Sequence, residues 1–404
     1  MSVEGSSVAI VGGGISGLVC AVRLGQLGIR NTTVFDTGKN APGGRCSSRL
    51  LQSGQTHYVF DHSTQYFTVT DQRFSKIVSY LHAKGAVKIW TGPIGHLRDN
   101  GQFEKDQTLT QAFVGTGGMC SIPQCLASMV HVRRPVWVGE VVWEEGSKKW
   151  NVGGQGYFDY LVIAHNGKCA DRLMANAGVP RIHKLLQVRF GSRLVPKDLR
   201  MQLCSLWVLL AIFPTSLKLK YQGAHVDGGI ISWVANNTAK LSAGTTQSTG
   251  GSCVGQECWT VFSTRDFAAT NKVPQENIPP SKRREVTNKL LSEFGRVTGL
   301  GDRLPKPSKT FVQLWGAAVP MNTLETSEEC VFDGLHHVGV CGDWLVSPCI
   351  QGAAISGLAL AEHIHKHASG LGTDSPLLQK FRPASSEMIG AFPTDPNMMF
   401  NPKK

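Results

Sequence analysis

The chain has 404 residues, 45 of them glycine, with an apolar share of 41% and a formal charge of +12. That length allows two or three domains, and the composition is that of a folded soluble protein rather than a disordered or fibrous one. Its basic residues are dispersed, with only short groups such as Lys282, Arg283 and Arg284, so a nucleic-acid surface is excluded in favour of a basic solvated one.

The first element is a buried strand, Val8 to Val11, that runs into Gly12, Gly13 and Gly14; Gly17 follows within an apolar stretch of helical spacing (Leu18, Ala21, Val22, Leu24, Leu27). A second strand, Thr32 to Asp36, completes a βαβ unit. In a dinucleotide-binding turn the first glycine makes the bend, the second lets backbone approach a pyrophosphate, and the third lets helix pack on strand; Gly12, Gly14 and Gly17 fit these roles. The helix start supplies free N–H groups and a positive dipole end. Asp36, nineteen positions after Gly17, suits an adenosine ribose, which favours NAD or FAD over a 2′-phosphorylated cofactor.

Beyond Asp36 come a turn-rich segment, TGKNAPGGRCSSR, a polar stretch, and VFDHSTQYFTV, Val59 to Val69. The pattern then predicts a helix over Asp71–Lys84, short strands between Val87 and Phe113, and a helix over Ile122–Val130. The strands VWVGEVVWEE and KKWNV read as a meander, and Phe158–Asn166 as a buried strand returning to the first sheet. From Leu186 to Phe332 the chain is mostly β, with strand candidates QVRFGSRL, SLWVLLAIF, GIISWVANN and CWTVFST and one helix, Arg284–Phe294. The segment Ser242–Gly255, rich in Gly, Ser and Thr, is expected to be mobile. A last strand, HHVGVCGDW, and a helix, GAAISGLALAEHIHKH, restore α/β character, and the tail beyond Gly370 is expected to be poorly ordered.

The longest apolar stretch, Leu203–Phe213, is far shorter than the roughly 20 residues of a membrane span, so a buried strand is expected and no span. No apolar signal segment precedes Val8, and targeting is not legible. Eleven cysteines without a repeating frame read as reduced thiols. His363, His365 and His367 fall on different helix faces, and no HExxH or zinc spacing occurs, so no metal site is expected. Nor is a glycine-flanked nucleophilic serine present.

Three segments separate FAD from NAD. Pro42–Arg45 places a glycine pair and an arginine just beyond the acid-bearing strand, where they can meet phosphate or ribityl oxygens. In VGVCGDW a strand ends at Gly342 and Asp343, and a helix begins near Gln351 and Gly352, offering a ribityl acceptor and N–H groups for a flavin's pyrimidine edge. The strand Phe158–Asn166 returns mid-chain sequence to the first sheet. An alternative role for Asp343 is to cap the final helix.

Taken together, GGGISGLVCA with VFD, PGGRCSSR, FDHSTQYFT and GVCGDWLVSPCIQGAAISGLALAEHI resemble the FAD-dependent amine-oxidase superfamily, most closely its renalase-like branch, from about Val8 to His367. The family pattern Asp-x-Gly-Ala-Gln-Tyr is matched with Ser63 and Thr64 at the Gly-Ala positions, a departure beside the flavin. The resemblance implies an α/β fold: a glutathione-reductase-type FAD-binding Rossmann domain with a second, β-sheet-rich substrate domain. It divides the chain into FAD-binding segments 1–85, 114–185 and 330–370, substrate-domain segments 86–113 and 186–329, and a tail, 371–404. It also implies that Gly12, Gly14, Ser16 and Gly17 hold pyrophosphate, Asp36 the adenosine ribose, and Gly44 and Arg45 the cofactor's middle. By the same likeness Val141 meets adenine through its backbone, Gln65 and Tyr66 lie near the ring, and Gly342, Asp343, Gln351, Gly352 and Ala353 complete the ribityl and ring contacts.

The implied activity is hydride transfer from a small reduced substrate, a dihydronicotinamide or an amine, to flavin and then to oxygen. No catalytic acid or base is named, because the cofactor carries the chemistry. Cys46 is read as a small buried residue rather than a covalent flavin anchor. Two other readings stay open: an oxidase or desaturase of an apolar substrate, and a non-enzymatic FAD-binding scaffold. The family's occurrence in bacteria and plastid-bearing organisms leaves cytoplasm and plastid stroma both open.

Overall fold

The computed structural model describes residues 3–53, 55–98, 101–242, 255–372 and 380–384. The segment expected to be mobile, Ser242–Gly255, lies almost wholly outside these residues, as does most of the tail. One part of the tail does form structure: Phe381–Pro383 is a strand paired with Asn322–Leu324. Three residues are too few to show periodicity in a sequence, and Phe381 is held by stacking on Trp344, ring centroids 6.3 Å apart.

Two sheets organise the molecule. In the first, β1 (Ser7–Val11) is buried along its whole length, with β2 (Asn31–Phe35) parallel on one side and Tyr160–Ile163 parallel on the other. Strands His131–Arg133, beyond β2, and Val338–Val340 and Val331–Asp333, beyond Tyr160–Ile163, complete six strands, of which only the last is antiparallel to its neighbour. A strand flanked by parallel neighbours and covered on both faces is largely apolar, which is why Val8–Val11 of β1 and YLVI read as continuous hydrophobic runs. Helix α1 (Ile15–Gln26) carries the chain from β1 to β2. The final helix, Ile350–Ala368, lies directly on α1: a Cβ at Gly357 would stand 2.3 Å from the Ser16 carbonyl oxygen, so the close approach requires glycine there.

The second sheet has eight strands built around Met201–Phe213, thirteen residues buried at every position. This is the apolar stretch read as a strand, and no described helix is long and apolar enough to cross a membrane. Its side chains alternate between two cores, as a period of two demands. Trp207, Leu209, Ala211 and Phe213 pack beneath the helix Pro280–Val297, through its Val286, Leu290, Phe294 and Val297. Val208, Leu210 and Ile212 face the other way and join Trp233 and Phe262 in a core continuous with Phe60, Tyr66, Trp90 and α1 of the first unit.

Several boundaries differ from the sequence expectations for identifiable reasons. The helix expected from Arg284 begins at Pro280, because a proline at the first helical position costs no hydrogen bond while its turn, PSKR, carries no apolar marker. The helix expected over Ile122–Val130 is Ser121–Ala127. Asp71 caps Gln72–Ala83 by accepting from Arg73 N–H at 2.7 Å. Elements that went unread include the helices Lys168–Ala175, Pro180–Leu186 and Arg265–Thr270, the hairpin Ser48–Ser53 with Thr56–Asp61, and Lys309–Pro320, a twelve-residue strand on Met201–Phe213 whose glycine and two alanines weaken its β signal. The meander is present but has three antiparallel strands rather than two: Val141–Glu144, Lys149–Val152 and Gly156–Phe158, the first starting later than VWVGEVVWEE suggested.

Leu290 is wholly buried in the core beneath the second sheet, clustered with Trp207, Leu209, Trp259 and Phe294. L290A should lower the free energy of unfolding by about 3 kcal/mol, read from urea denaturation, while leaving ligand binding at the first sheet unchanged.

Candidate cofactor-binding site

Beyond Val11 the chain turns at Gly12 with φ +118°, and a Cβ there would meet the Ala164 carbonyl oxygen at 2.8 Å. At Gly17 a Cβ would stand 2.1 Å from the Gly12 carbonyl oxygen, so helix and strand approach as they do only because both are glycines. Gly14 is different. It is the N-cap of α1, no side chain caps the helix, and a Cβ would meet nothing within 4 Å. An uncapped helix start with open space before it is a site for an anion.

Asp36 follows β2 directly. Its Oδ2 accepts from Gly13 N–H at 3.0 Å and its Oδ1 from Gly38 N–H at 2.7 Å, while its backbone carbonyl accepts from Val136 N–H at 2.8 Å. These bonds hold the carboxylate at the mouth of the glycine turn. On the opposite wall, Gly44 (φ +53°) leads into Arg45, whose guanidinium donates two bonds to Asp343, 2.8 and 2.7 Å long. Burial works against the Arg45 charge, but the Asp343 carboxylate outweighs it and holds the guanidinium above its ordinary value. The backbone N–H and hydroxyl of Thr64 both donate to the Arg45 carbonyl, at 3.1 and 2.9 Å. Asp343 does not cap the final helix; Cys349 does, its Sγ accepting from Gly352 N–H at 3.2 Å, and burial pushes that thiol up to about 11.

These walls enclose a cleft of about 330 Å³, within the range of small-molecule sites. Of the residues singled out from sequence, Gly12, Gly14, Ser16, Asp36, Gly44, Arg45, Gly342, Asp343 and Ala353 line it. Gly17 lies behind the turn. Gln65 is turned inward, donating to the Asp61 and Ser63 carbonyls, and Tyr66 packs between Trp90 and Trp233 at 5.9 and 5.7 Å. The Gln351 side chain ties the final helix to Thr70 and Asp71, and Gly352 packs on the Ser347 backbone. Val141 is buried in the meander, paired with Val152; the cleft wall beside Asp36 is formed instead by Val136, Trp137 and Val138. Their legible signal is the strand His131–Arg133, which pairs β2 and delivers the following residues to Asp36.

Thr64, Trp315, Cys46 and Cys349 also line the cleft. Trp315 donates to the His62 carbonyl at 2.8 Å and stacks on the His62 ring, centroids 5.4 Å apart. The Ser63-Thr64 departure is accommodated, since neither residue has a positive φ and the turn makes no demand for glycine. The Trp344 indole N–H is buried without an acceptor, in a residue that lines the cleft. Among the described residues no group of three potential ligands is placed to hold a metal, and two of the three helix histidines bond protein groups, His363 to Glu328 and His367 to the Tyr160 hydroxyl. All ten described cysteines are free thiols.

Residues 10–81 match the NAD(P)-binding Rossmann-like domain family. Among solved structures, the chain is similar to cyclohexylamine oxidase from Brevibacterium oxydans at 13% identity, covering 89% of this chain and 99% of that one, with a TM-score of 0.60. A reduced UDP-galactopyranose mutase is similar at 11% identity, with 91% and 96% covered and a TM-score of 0.57. A putrescine oxidase redesigned in its cofactor binding follows at 12% identity, with 89% and 98% covered and a TM-score of 0.54. At these identities the likeness establishes the fold: a mixed α/β chain with a Rossmann-type dinucleotide-binding domain and a second, sheet-rich domain.

G14A should fold with the wild-type melting temperature yet bind dinucleotide at least about tenfold more weakly, because its methyl enters the cleft. G17A should lose both stability and binding, because its methyl meets the Gly12 carbonyl. Calorimetry and ligand titration on the two variants separate the roles.

Burial, with Arg49 adding to it, lowers the His62 pKa from 6.5 to about 4. The unfolded chain therefore takes up a proton below pH 6.5 that the folded chain refuses, so stability complete above pH 6.5 is lost as pH falls toward 4, by about 3 kcal/mol from this group. The melting temperature of H62Q should fall less steeply than that of wild type across this window.

Proposed function

We propose that this chain is an FAD-dependent oxidoreductase of the renalase-like kind, which takes a hydride from a small reduced substrate and passes the electrons to oxygen. The observation that carries the reading is the course of the cleft, from Asp36 and the uncapped turn at Gly14, past Arg45 and Asp343, to Thr64 and Trp315 beside the second domain. A mononucleotide needs only the first half of that path. The open volume before the uncapped start of α1 at Gly14 suits a long, oxygen-rich, anionic cofactor. Bound there, FAD supplies a ring that accepts two electrons as hydride.

The chain's own residues bind and orient the cofactor. The α1 N-terminus and Gly14 receive the pyrophosphate, and Asp36 receives the ribose hydroxyls while its Gly13 and Gly38 bonds keep it fixed. Arg45 and Asp343, already paired, offer a cation and an acceptor midway along the cofactor. Thr64, Trp315, Cys349 and Ile350 line a largely apolar part of the cleft, beside the second-sheet strand that carries Trp315, where a planar substrate would stack. None of these groups is placed as an acid or base, in keeping with transfer of hydride rather than of a proton. The oxidases among similar folds, named for cyclohexylamine and putrescine, support an amine as one substrate class, and the renalase-like motifs support a dihydronicotinamide.

The test is an absorption spectrum of the purified protein, followed by anaerobic mixing with dihydronicotinamide isomers and simple amines. The expected outcome is a bound flavin whose visible band bleaches with one donor and returns in air with peroxide released. Failure to bind FAD overturns the reading. Flavin that no donor reduces moves the assignment to an apolar substrate or to a scaffold.

A further inference from the structure

Asp61 and Lys240 are each fully buried, and Lys240 Nζ lies 2.7 Å from Asp61 Oδ2. They come from opposite units. Asp61 ends the strand Thr56–Asp61, beside the cleft, whereas Lys240 sits on the short helix Asn237–Ser242 that follows the second-sheet strand Ile231–Asn236. A buried ion pair is seldom the most stable way to fill such a space, since apolar residues of similar volume often do as well. Its presence calls for a role in geometry.

The pair holds a turn. Asp61 Oδ1 accepts from the Ser48 hydroxyl at 2.6 Å and from Met119 N–H at 2.7 Å, which fixes the carboxylate within the first unit. Lys240 Nζ also donates to the Gln65 carbonyl at 3.3 Å, spanning both ends of the segment Asp61–Gln65. The second sheet adds Thr260, whose hydroxyl donates to the Asp61 carbonyl at 3.2 Å, and Trp233, whose indole N–H reaches Gln65 Oε1 at 3.4 Å. Within the turn, Gln65 Nε2 closes back on the Asp61 and Ser63 carbonyls. What the clamped turn presents is Thr64, which lines the cleft and bonds the Arg45 carbonyl.

We infer that Lys240 is a positioning residue for the cofactor: its ion pair with Asp61 sets the turn Asp61–Gln65, and through Thr64 the Arg45 segment, in the geometry that receives the ring half of FAD. The inference rests on the FAD reading above. It assigns to the second domain a part in building the cofactor site, and it makes ring-half affinity depend on a residue that never touches the ligand.

The experiment uses full-length protein, wild type, K240M and the double variant D61N/K240M, and measures melting temperature, the visible flavin band, and affinities for FAD and for ADP. ADP reaches only the glycine turn and Asp36. K240M leaves Asp61 buried and unpaired and should lose stability, and the double variant should regain much of it. If the pair positions the turn, both variants bind FAD at least about tenfold more weakly with a shifted flavin band, while ADP binds as in wild type. Should K240M not fold, the double variant carries the test. A double variant with wild-type FAD affinity and band shape, or one that loses FAD and ADP equally, overturns the inference. Wild-type protein that binds ADP but not FAD overturns the cofactor reading and this role with it.

Discussion

A strand buried at all thirteen positions has no side to offer to water, and the architecture follows from covering both sides of Met201–Phe213. One row of its side chains is roofed by the helix Pro280–Val297, an arrangement any single domain could manage. The other row has no helix of its own and joins Phe60, Tyr66 and Trp90 in one shared core. The two units are thereby joined by a shared apolar core as well as by the polar contacts around Asp61 and Gln65, and such an interface resists relative motion. The cleft wall contributed by Thr64 and Trp315 inherits that rigidity.

Charge is distributed with the same economy. A chain of net charge +12 carries few fully buried ionic groups among its described residues, and those near the cleft are paired across long sequence distances. Arg45 with Asp343 joins the early and late segments; Asp61 with Lys240 joins the first unit to the second. In each pair the cost of desolvation offsets much of the attraction, and removing one partner is costly because it leaves the other charge buried and uncompensated. The surface excess of Lys and Arg is a separate matter, solvated and screened.

What was legible in the sequence was local. Gly12, Gly14, Gly17 and Asp36 sit within one βαβ unit, where spacing alone fixes their relation, and the buried strands announced themselves by unbroken apolar runs. Arg45 and Asp343 could be named singly, but their pairing is a fact of three dimensions. Thr64 and Trp315 reach the cleft only because the Ser48–Asp61 hairpin and the strand Lys309–Pro320 bring them there, and neither element has a strong pattern. Val141 shows the limit of a likeness carried over by position: three residues of register separate it from Val138, which lines the cleft, and no hydrophobic pattern distinguishes two valines in the same run. Lys240 was invisible for a different reason, since a lysine is ordinarily taken for surface.

The packing of Gly357 against the Ser16 carbonyl joins the last helix to the first. During synthesis the glycine turn and Asp36 precede Gly342, Asp343 and Ala353 by about 300 residues. Until those later residues are made, the growing chain carries half a site. The complete cleft exists only once these late segments fold back onto the first βαβ unit, so its two walls come from chain made at widely separated times.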